Sequence, residues 1–191
     1  MTDTGGESDA ALVAHALAGD DGAFAHLMAR HKQWAFRFVR RYVGNADDAY
    51  DVLQDTFFSA WLALRRYQSQ RPFDIWLRRI ALNKCRDRAR REAVRRVISG
   101  FTGADSESVD LPDASPGPEA QVAAGQELEQ LERSLGSLPR SLKEPLLLTA
   151  LEGLSHQQAA EVLGLNAKAV EMRIYRARER LSGAREPKRQ R

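Results

Sequence analysis

Cysteine is nearly absent from this chain of 191 residues, and long apolar runs are absent altogether. A single cysteine, Cys85, cannot form an internal disulfide, which excludes a disulfide-stapled secreted fold and predicts a reducing, cytoplasmic setting. No run approaches the roughly 20 apolar residues that span a bilayer, and the acidic, polar residues 1–9 do not have the pattern of a secretory signal. Direct membrane binding is therefore not expected.

The sequence also lacks the patterns of catalytic and cofactor sites. It has no Gly-rich phosphate loop, no spacing of metal ligands and no nucleophile beside a basic partner, so we expect neither an enzyme nor a bound metal or cofactor. The alternation of apolar and polar residues that marks a half-buried strand is missing as well. What remains, 43% apolar and 29% charged residues with helical spacing, predicts an all-α globular fold.

Basic residues are missing from two stretches and concentrated in two others. Residues 1–28 and 97–125 each hold five acids and no Lys or Arg. Residues 76–96 hold nine bases against two acids, and residues 171–191 hold eight against three. The net charge of +3 is thus a sum of opposed blocks, and two separate basic surfaces indicate a polyanion contacted at two places.

The base-free stretch between the basic blocks divides the chain. Residues 97–125 are rich in Gly, Pro and Ser and lack helical periodicity, which is typical of a linker between domains. We therefore predict two small helical domains, 1–96 and 126–184, joined by a flexible acidic linker and followed by a basic tail, 185–191.

Apolar spacing and capping residues predict helices throughout the first domain. They are expected at about 10–17, from Asp20 or Asp21 to Gly44, at 46–64, and from Pro72 onward after a polar loop. The arginines of the last helix are expected to face mostly away from the core.

In the second domain, Pro118 is expected to open a helix. Ser141 and Glu144 have the spacing of a capping box, and Pro145 should kink or shift the helix that follows. Gly153 is expected to end that helix.

Residues 154–181 carry a helix-turn-helix pattern. Ala160 provides the small side chain needed where two helices cross, Gly164 permits a tight turn, and Val170 is the buried contact of the second helix. That second helix fits the major groove of duplex DNA. The alternative is that its charges form a solvated helix face. The candidate DNA-contacting residues on its exposed side are Lys168, Glu171, Met172, Arg173, Tyr175 and Arg176.

The basic block at 76–96 begins beside aromatic residues. Phe73 and Trp76 next to a row of arginines suit single-stranded nucleic acid, although helical periodicity alone favours both aromatics as ordinary core. Asn83 lies one turn from Arg79 and could bond a base edge, or be solvated.

Three aspartates follow one face of the predicted helix at 46–64. Asp47, Asp51 and Asp55 are spaced by four, and their mutual repulsion would be relieved by an Arg-rich partner. A solvated face is the alternative. A metal site is not favoured, because no His or Cys lies close in sequence.

Three blocks of the sequence together resemble the bacterial RNA polymerase sigma factors of the extracytoplasmic-function (ECF) group of the sigma-70 family. The first comprises Asn45–Ala49, Gln54–Phe57 and Ala60–Trp61; the second Arg71–Phe73, Trp76–Leu77, Ile80–Ala81 and Asn83; the third Glu152–Ser155, Ala159–Ala160, Leu163–Gly164 and Val170–Arg178. Within that group the chain is similar to the members that control cobalt–nickel resistance.

The resemblance implies a sigma-2 and a sigma-4 domain that bind core RNA polymerase and promoter DNA. The acidic helix would contact the clamp coiled coil of the largest subunit, and the segment 146–151 the flap of the second-largest subunit. The helix at 168–178 would read the −35 element. The loop at 66–73 and the next helix would read the −10 element and capture a flipped base. The implied clamp-contacting residues are Asp51, Gln54, Asp55, Phe58 and Trp61, and the implied −10 residues are Arg66, Phe73, Trp76, Arg79, Asn83 and Arg86.

The resemblance further implies an anti-sigma factor, often membrane-anchored, that covers both domains, and a linker that threads toward the polymerase active-site channel. Two residues depart from the group's pattern. Pro145 stands where a helix-compatible residue is usual, and Glu171 stands where many members have a base. The competing hypothesis is a free-standing helix-turn-helix regulator that binds DNA as a homodimer, which leaves the first two blocks unexplained.

Overall fold

The computed structural model describes residues 6–102 and 134–183, and every regular element in these two ranges is helical. The all-α prediction is thereby confirmed. Most of the predicted linker, the helix predicted to open at Pro118 and the basic tail lie outside the described residues. None of the described helices is long and apolar enough to cross a membrane.

Four helices form the first domain: α1 (Asp9–Leu17), α2 (Asp21–Val43), α3 (Ala46–Ala63) and α4 (Phe73–Thr102). Their ends follow the capping residues. The Asp20 carboxylate accepts hydrogen bonds from the first backbone N–H groups of α2, and the Asn45 side chain caps α3. Helix α4 continues beyond residue 97, where the composition predicts the linker to begin.

A short 3₁₀ turn, Leu64–Arg66, leads from α3 into the loop before α4. Most of the predicted apolar positions of α2 and α3 are buried, for example Leu27, Phe38 and Phe57. Met28 and Trp61 are exceptions, each 38% exposed, and both line a groove described below.

The described part of the second domain begins with the helical residues 134–137 and continues with α5 (Arg140–Leu146), α6 (His156–Leu163) and α7 (Ala167–Gly183). The predicted capping box at Ser141 and Glu144 is wrong. Helix α5 starts directly after Pro139 with no side-chain cap, because the Glu144 carboxylate bonds to the first domain instead.

The predicted kink near Pro145 takes the form of a wider turn. Pro145 lies inside α5, and residues Leu147–Leu151 are π-helical, so that the backbone N–H of Glu152 donates to the carbonyl of Leu147 five residues back at 3.1 Å. Gly153, at φ +70°, ends the segment as predicted.

The helix-turn-helix prediction is confirmed. Ser155 and Gln158 form a capping box at the start of α6, and Gly164 closes the turn in the left-handed region at φ +68°. Val170 is fully buried and Ala160 is 5% exposed where the helices meet.

The two domains pack against each other along α4, which contacts α6. One apolar cluster runs through the interface. It joins first-domain residues such as Tyr42 and Leu82 to second-domain residues such as Leu146 and Leu148. The described chain is therefore closed, with its two domains sharing a core.

Candidate nucleic-acid and protein interfaces

Helix α7 presents the predicted reading face to solvent. Val170, Ile174 and Ala177 are buried on its inner side, which turns the opposite side outward. Of the predicted −35 residues only Arg173 is half-buried; the exposed ones are Lys168, Glu171, Met172, Tyr175 and Arg176. The helix-turn-helix packing thus brings the predicted residues together on one accessible surface.

Glu171 has a partner on its own helix. The ammonium of Lys168 donates to its Oε2 at 2.9 Å, and this hydrogen bond lowers the pKa of the Glu171 carboxyl. The carboxylate is therefore ionised near neutral pH, acceptor-only, and about half exposed.

On α4 the structure brings three of the predicted −10 residues to one side. Arg79, Asn83 and Arg86 succeed one another at helical spacing; the first two are exposed, and Arg86 is half-buried. Arg66 is exposed at the end of the 3₁₀ turn.

The two aromatics of the predicted −10 surface behave differently. Phe73 is 2% exposed and packs against His31, Tyr67 and Trp76, with ring centroids 5.3–5.6 Å apart, so it belongs to the core in this arrangement. Trp76 is half-buried and keeps part of its ring accessible. Only one of the pair is placed to stack on a base.

Arg86 is bound by a carboxylate of the second domain. Its Nε and Nη2 donate to the two oxygens of Glu144 at 2.9 and 2.6 Å, and the Tyr42 hydroxyl donates to the same carboxylate at 2.9 Å. The hydrogen bonds to Glu144 raise the pKa of Arg86, while burial and then the Glu144 charge raise that of Tyr42. A residue predicted to contact DNA is thus engaged inside the protein.

Arg78 is a functional candidate that the sequence analysis missed. It is 7% exposed, its guanidinium lies 4.2 Å from the centroid of the Trp34 ring, and its Nη1 donates to Oε2 of Glu152 at 2.9 Å. Arg41 lies 3.7 Å from the other oxygen of Glu152. One signal was available, since Arg78 directly follows the buried Leu77 and precedes the buried Ala81 by three, which is core spacing.

An apolar groove lies between α2 and α3 beside the acidic stripe. Its volume is about 490 Å³, and Gln54, Phe58 and Trp61 of the predicted clamp-contacting set line it. Phe58 is 63% exposed. The remaining lining residues are Phe24, Met28, Ala29, Lys32, Tyr50, Leu53 and Phe57.

The aspartates of α3 divide into two kinds. Asp47, Asp51 and Asp55 are exposed, and in the described part of the chain none of them forms an ion pair. Asp48, in contrast, is bound by Arg88 and by the cap residue Asn45. The predicted stripe is therefore a solvent-facing acidic edge along an apolar groove.

These surfaces, a helix-turn-helix, a second basic helix and an apolar groove with an acidic edge, are those of a helical DNA-binding transcription factor. Residues 27–96 match the family model of sigma-70 region 2, and residues 128–181 match that of sigma-70 region 4. The chain belongs to the sigma-70 family of RNA polymerase sigma factors, in its ECF group. The resemblance stated from the three sequence blocks is confirmed.

Named relatives span nearly the whole chain. The RNA polymerase sigma factor CnrH of Cupriavidus metallidurans is 43% identical over 178 residues, which cover 92% of this chain and 93% of CnrH. The ECF RNA polymerase sigma-E factor of Haemophilus influenzae is 31% identical over 185 residues, 94% of this chain and 96% of its own. A solved structure of CnrH in complex with the cytosolic domain of CnrY has a TM-score of 0.68 at 37% identity, covering 93% of this chain and 97% of that one.

Proposed function

We propose that this sigma factor binds core RNA polymerase through the α2–α3 groove and its acidic edge, and reads promoters with α7 at the −35 element and α4 at the −10 element. The groove is the observation that carries the proposal. Several large apolar side chains stay exposed around it, including Phe58, Trp61 and Tyr50, and such a patch is typical of a protein-binding surface. The unpaired aspartates beside it suit a basic partner.

The assignment of α7 to the −35 element is supported by its free, partly basic face on a helix-turn-helix. The assignment of α4 to the −10 element is supported by Arg79, Asn83 and Trp76 lying within two turns of one another. Each surface suits its own substrate, duplex in the first case and single strand in the second.

We further propose control by an anti-sigma factor that competes for these surfaces. The support is the likeness to CnrH, which has been solved in complex with the cytosolic domain of CnrY. A metal- or stress-response regulon is proposed on the resemblance to group members that control cobalt–nickel resistance.

The polymerase assignment is tested by reversing two charges at the edge of the groove. Asp51→Lys with Asp55→Lys should abolish assembly with core polymerase, measured by co-elution in gel filtration, and with it run-off transcription. The helical circular dichroism spectrum should not change, because both side chains are exposed.

The matched controls are Asp51→Asn with Asp55→Asn, which should weaken assembly less, and Glu161→Lys with Glu179→Lys, an equal change of charge at two exposed positions of the second domain, which should assemble. Normal assembly by Asp51→Lys with Asp55→Lys would refute the interface. A free-standing homodimeric regulator would instead shift promoter duplex tightly without polymerase, which the proposed function excludes.

A further inference from the structure

The loop between the 3₁₀ turn and α4 is folded around its first residue. The Tyr67 hydroxyl donates to the carbonyl of Arg71 at 2.5 Å, and the backbone N–H of Arg71 donates to the carbonyl of Gln68 at 3.0 Å. All of residues 68–72 are exposed, whereas Tyr67 is half-buried. The shape of this loop, residues 67–72, therefore depends on where the Tyr67 side chain is held.

A cluster of rings holds Tyr67. Its ring centroid lies 5.6 Å from that of Phe73 and 5.2 Å from that of Trp76, and the centroids of Phe73 and Trp76 are 5.4 Å apart. The buried Phe73 in turn contacts His31 of α2, with ring centroids 5.3 Å apart. Contacts between aromatic rings depend on their relative orientation, so a rotation of the buried His31 imidazole would shift the rings packed on it.

The orientation of His31 is fixed through both ring nitrogens. The indole nitrogen of Trp34 lies 2.9 Å from Nδ1 of His31, and Oδ2 of Asp9 lies 2.9 Å from Nε2. Because an indole N–H can only donate, Nδ1 accepts, and the proton on Nε2 is donated to Asp9. The other oxygen of Asp9 accepts from Nη1 of Arg30 at 2.6 Å. A polar network in which each member has a partner holds its side chains in one geometry.

Asp9 reaches this network from α1, a helix with apolar anchors of its own. Three side chains of α1 are buried in the core of the first domain: Leu12, Val13 and Ala16. Helix α1 precedes residues 27–96, which match sigma-70 region 2, so the match itself gives Asp9 no role. The carboxylate also lies near the loop, because burial and then the Asp9 charge raise the pKa of Tyr67. Loss of this carboxylate should therefore release His31 without detaching α1.

We propose that Asp9 is a positioning residue for −10 recognition, which acts through His31 to hold the loop at residues 67–72 in one conformation before DNA binds. This inference rests on the proposed function for the assignment of this surface to the −10 element. A loop that is already ordered loses less conformational entropy when it receives an unpaired base, so the base is bound more tightly. Asp9 itself does not contact DNA, and neither assembly with polymerase nor the −35 preference depends on it.

The test compares substitutions at Asp9 in the full chain. Asp9→Leu keeps a branched side chain but removes both acceptor oxygens, and Asp9→Asn keeps one oxygen that can accept from His31. Asp21→Leu is the matched control, because Asp21 is the first residue of α2, as Asp9 is of α1, and is exposed. The two Leu variants thus make the same change of charge at the same position of a helix.

Amide hydrogen exchange, followed by NMR in the free protein, measures the order of the loop. The Arg71 amide should exchange about tenfold faster in Asp9→Leu, because the loss of a part-buried hydrogen bond lets the ring cluster and the loop open more often. Asp9→Asn and Asp21→Leu should both stay within about twofold of the unchanged protein, because the bond to His31 remains.

The effect on promoter recognition is measured by transcription with core polymerase from two libraries, one randomised at −10 and the other at −35. Asp9→Leu should relax the base preference at one −10 position by about fivefold and leave the −35 preference unchanged. Asp9→Asn should keep the −10 preference of the unchanged protein, as should Asp21→Leu. A change in stability alone would lower the amount of transcript without changing which bases are selected.

Exchange and transcription separate this proposal from the proposed function. Equal exchange of the Arg71 amide in Asp9→Leu and Asp21→Leu would overturn the positioning role, whatever the amount of transcript. Faster exchange with an unchanged −10 preference would refute the assignment of this loop to the −10 element and leave its positioning by Asp9 standing. If circular dichroism shows Asp9→Leu unfolded, Asp9→Ala removes the same carboxylate without added bulk, and the comparison with Asp21→Ala decides.

Discussion

The two basic helices of the molecule differ in how many of their arginines are bound by other elements. On α4, Arg78 and Arg86 are bound by carboxylates of the other domain, and Arg88 is bound by Asp48. On α7, the single ion pair among the described residues joins neighbours on the same helix, and Arg176 and Arg178 are exposed. A count of charges makes the two helices look alike, but ion pairs bind part of the arginines of α4, while others, among them Arg79, Arg91, Arg95 and Arg96, stay exposed.

The difference lies in the range of the contacts. Exposure on α7 follows from the local helix-turn-helix packing, which the spacing of Ala160, Gly164 and Val170 already specifies. The binding of Arg86 and Arg78 on α4 depends on Glu144 and Glu152, which lie 58 and 74 residues away from them in sequence. The exposure of the α7 face and the binding of the α4 arginines by the other domain therefore have different causes, and mutations should affect one without the other.

The largest effect is expected at Arg78 against its neighbour Arg79. Arg78→Met keeps an aliphatic chain against Trp34 but leaves the buried Glu152 with Arg41 alone, and breaking such a pair costs about 3 kcal/mol of the closed state's stability. Arg79→Met changes an exposed residue and should stay within about 0.5 kcal/mol. Urea unfolding followed by circular dichroism measures both.

In single-strand binding the order of the two variants should reverse. Arg79→Met should bind a 12-nucleotide single-stranded DNA more weakly, because the substitution removes an exposed charge. Arg78→Met should bind the same DNA at least as well as the unchanged protein. Equal urea midpoints for the two variants would show that the buried Arg78 contributes no more to the stability of the fold than the exposed Arg79.

Features determined by near neighbours in sequence were predictable, and those determined across the domain interface were not. The caps at Asp20 and Ser155 and the turn at Gly164 follow from local hydrogen bonding and backbone conformation. Glu144 has the right spacing from Ser141 for a capping box, yet Arg86 and Tyr42 compete for the same carboxylate and win, because their contact is buried.

The candidate sites show the same division. The exposed face of α7 could be read from helical periodicity, since the core contacts of the helix fix its outer side. The burial of Phe73 could not, because it depends on His31 and Tyr67 arriving from other elements. Arg78 is buried although it is charged, because it occupies a core position of α4 and the carboxylate of Glu152 lies across the interface to pair with it.

A smaller, sequence-specific effect is expected from Glu171 on the open helix. An exposed carboxylate in the reading helix can accept from the N4 amino group of cytosine, and such contacts discriminate by about 1–3 kcal/mol. Glu171→Gln should therefore relax a cytosine preference at one −35 position by roughly tenfold, measured as transcription from a randomised −35 library.

Glu179→Gln, two turns farther along the same helix, is the matched control and should leave the preference unchanged. Loss of a negative charge should also strengthen phosphate contact slightly in both variants. If both variants select the same bases as the unchanged protein, Glu171 does not contact base edges in the DNA major groove. The presence of Glu171 where many group members have a basic residue would then have no role in specificity.

The smallest effect on the arrangement of the domains is expected at the turn that presents α7. Gly164 adopts φ +68°, and a Cβ there would meet no atom within 4 Å, so Gly164→Ala should cost only the left-handed backbone penalty of about 1–2 kcal/mol. Gly136→Ala is the matched control, because Gly136 is helical and equally open, and it should gain up to about 1 kcal/mol instead. Thermal unfolding of the full chain should move in opposite directions for the two variants. Neither position touches Glu144 or Glu152, so the distance between the two domains, measured between spin labels at Gln33→Cys on α2 and Gln157→Cys on α6, should stay short in both variants. A longer distance in Gly164→Ala would mean that the exposure of the α7 face and the binding of the α4 arginines by the second domain are coupled.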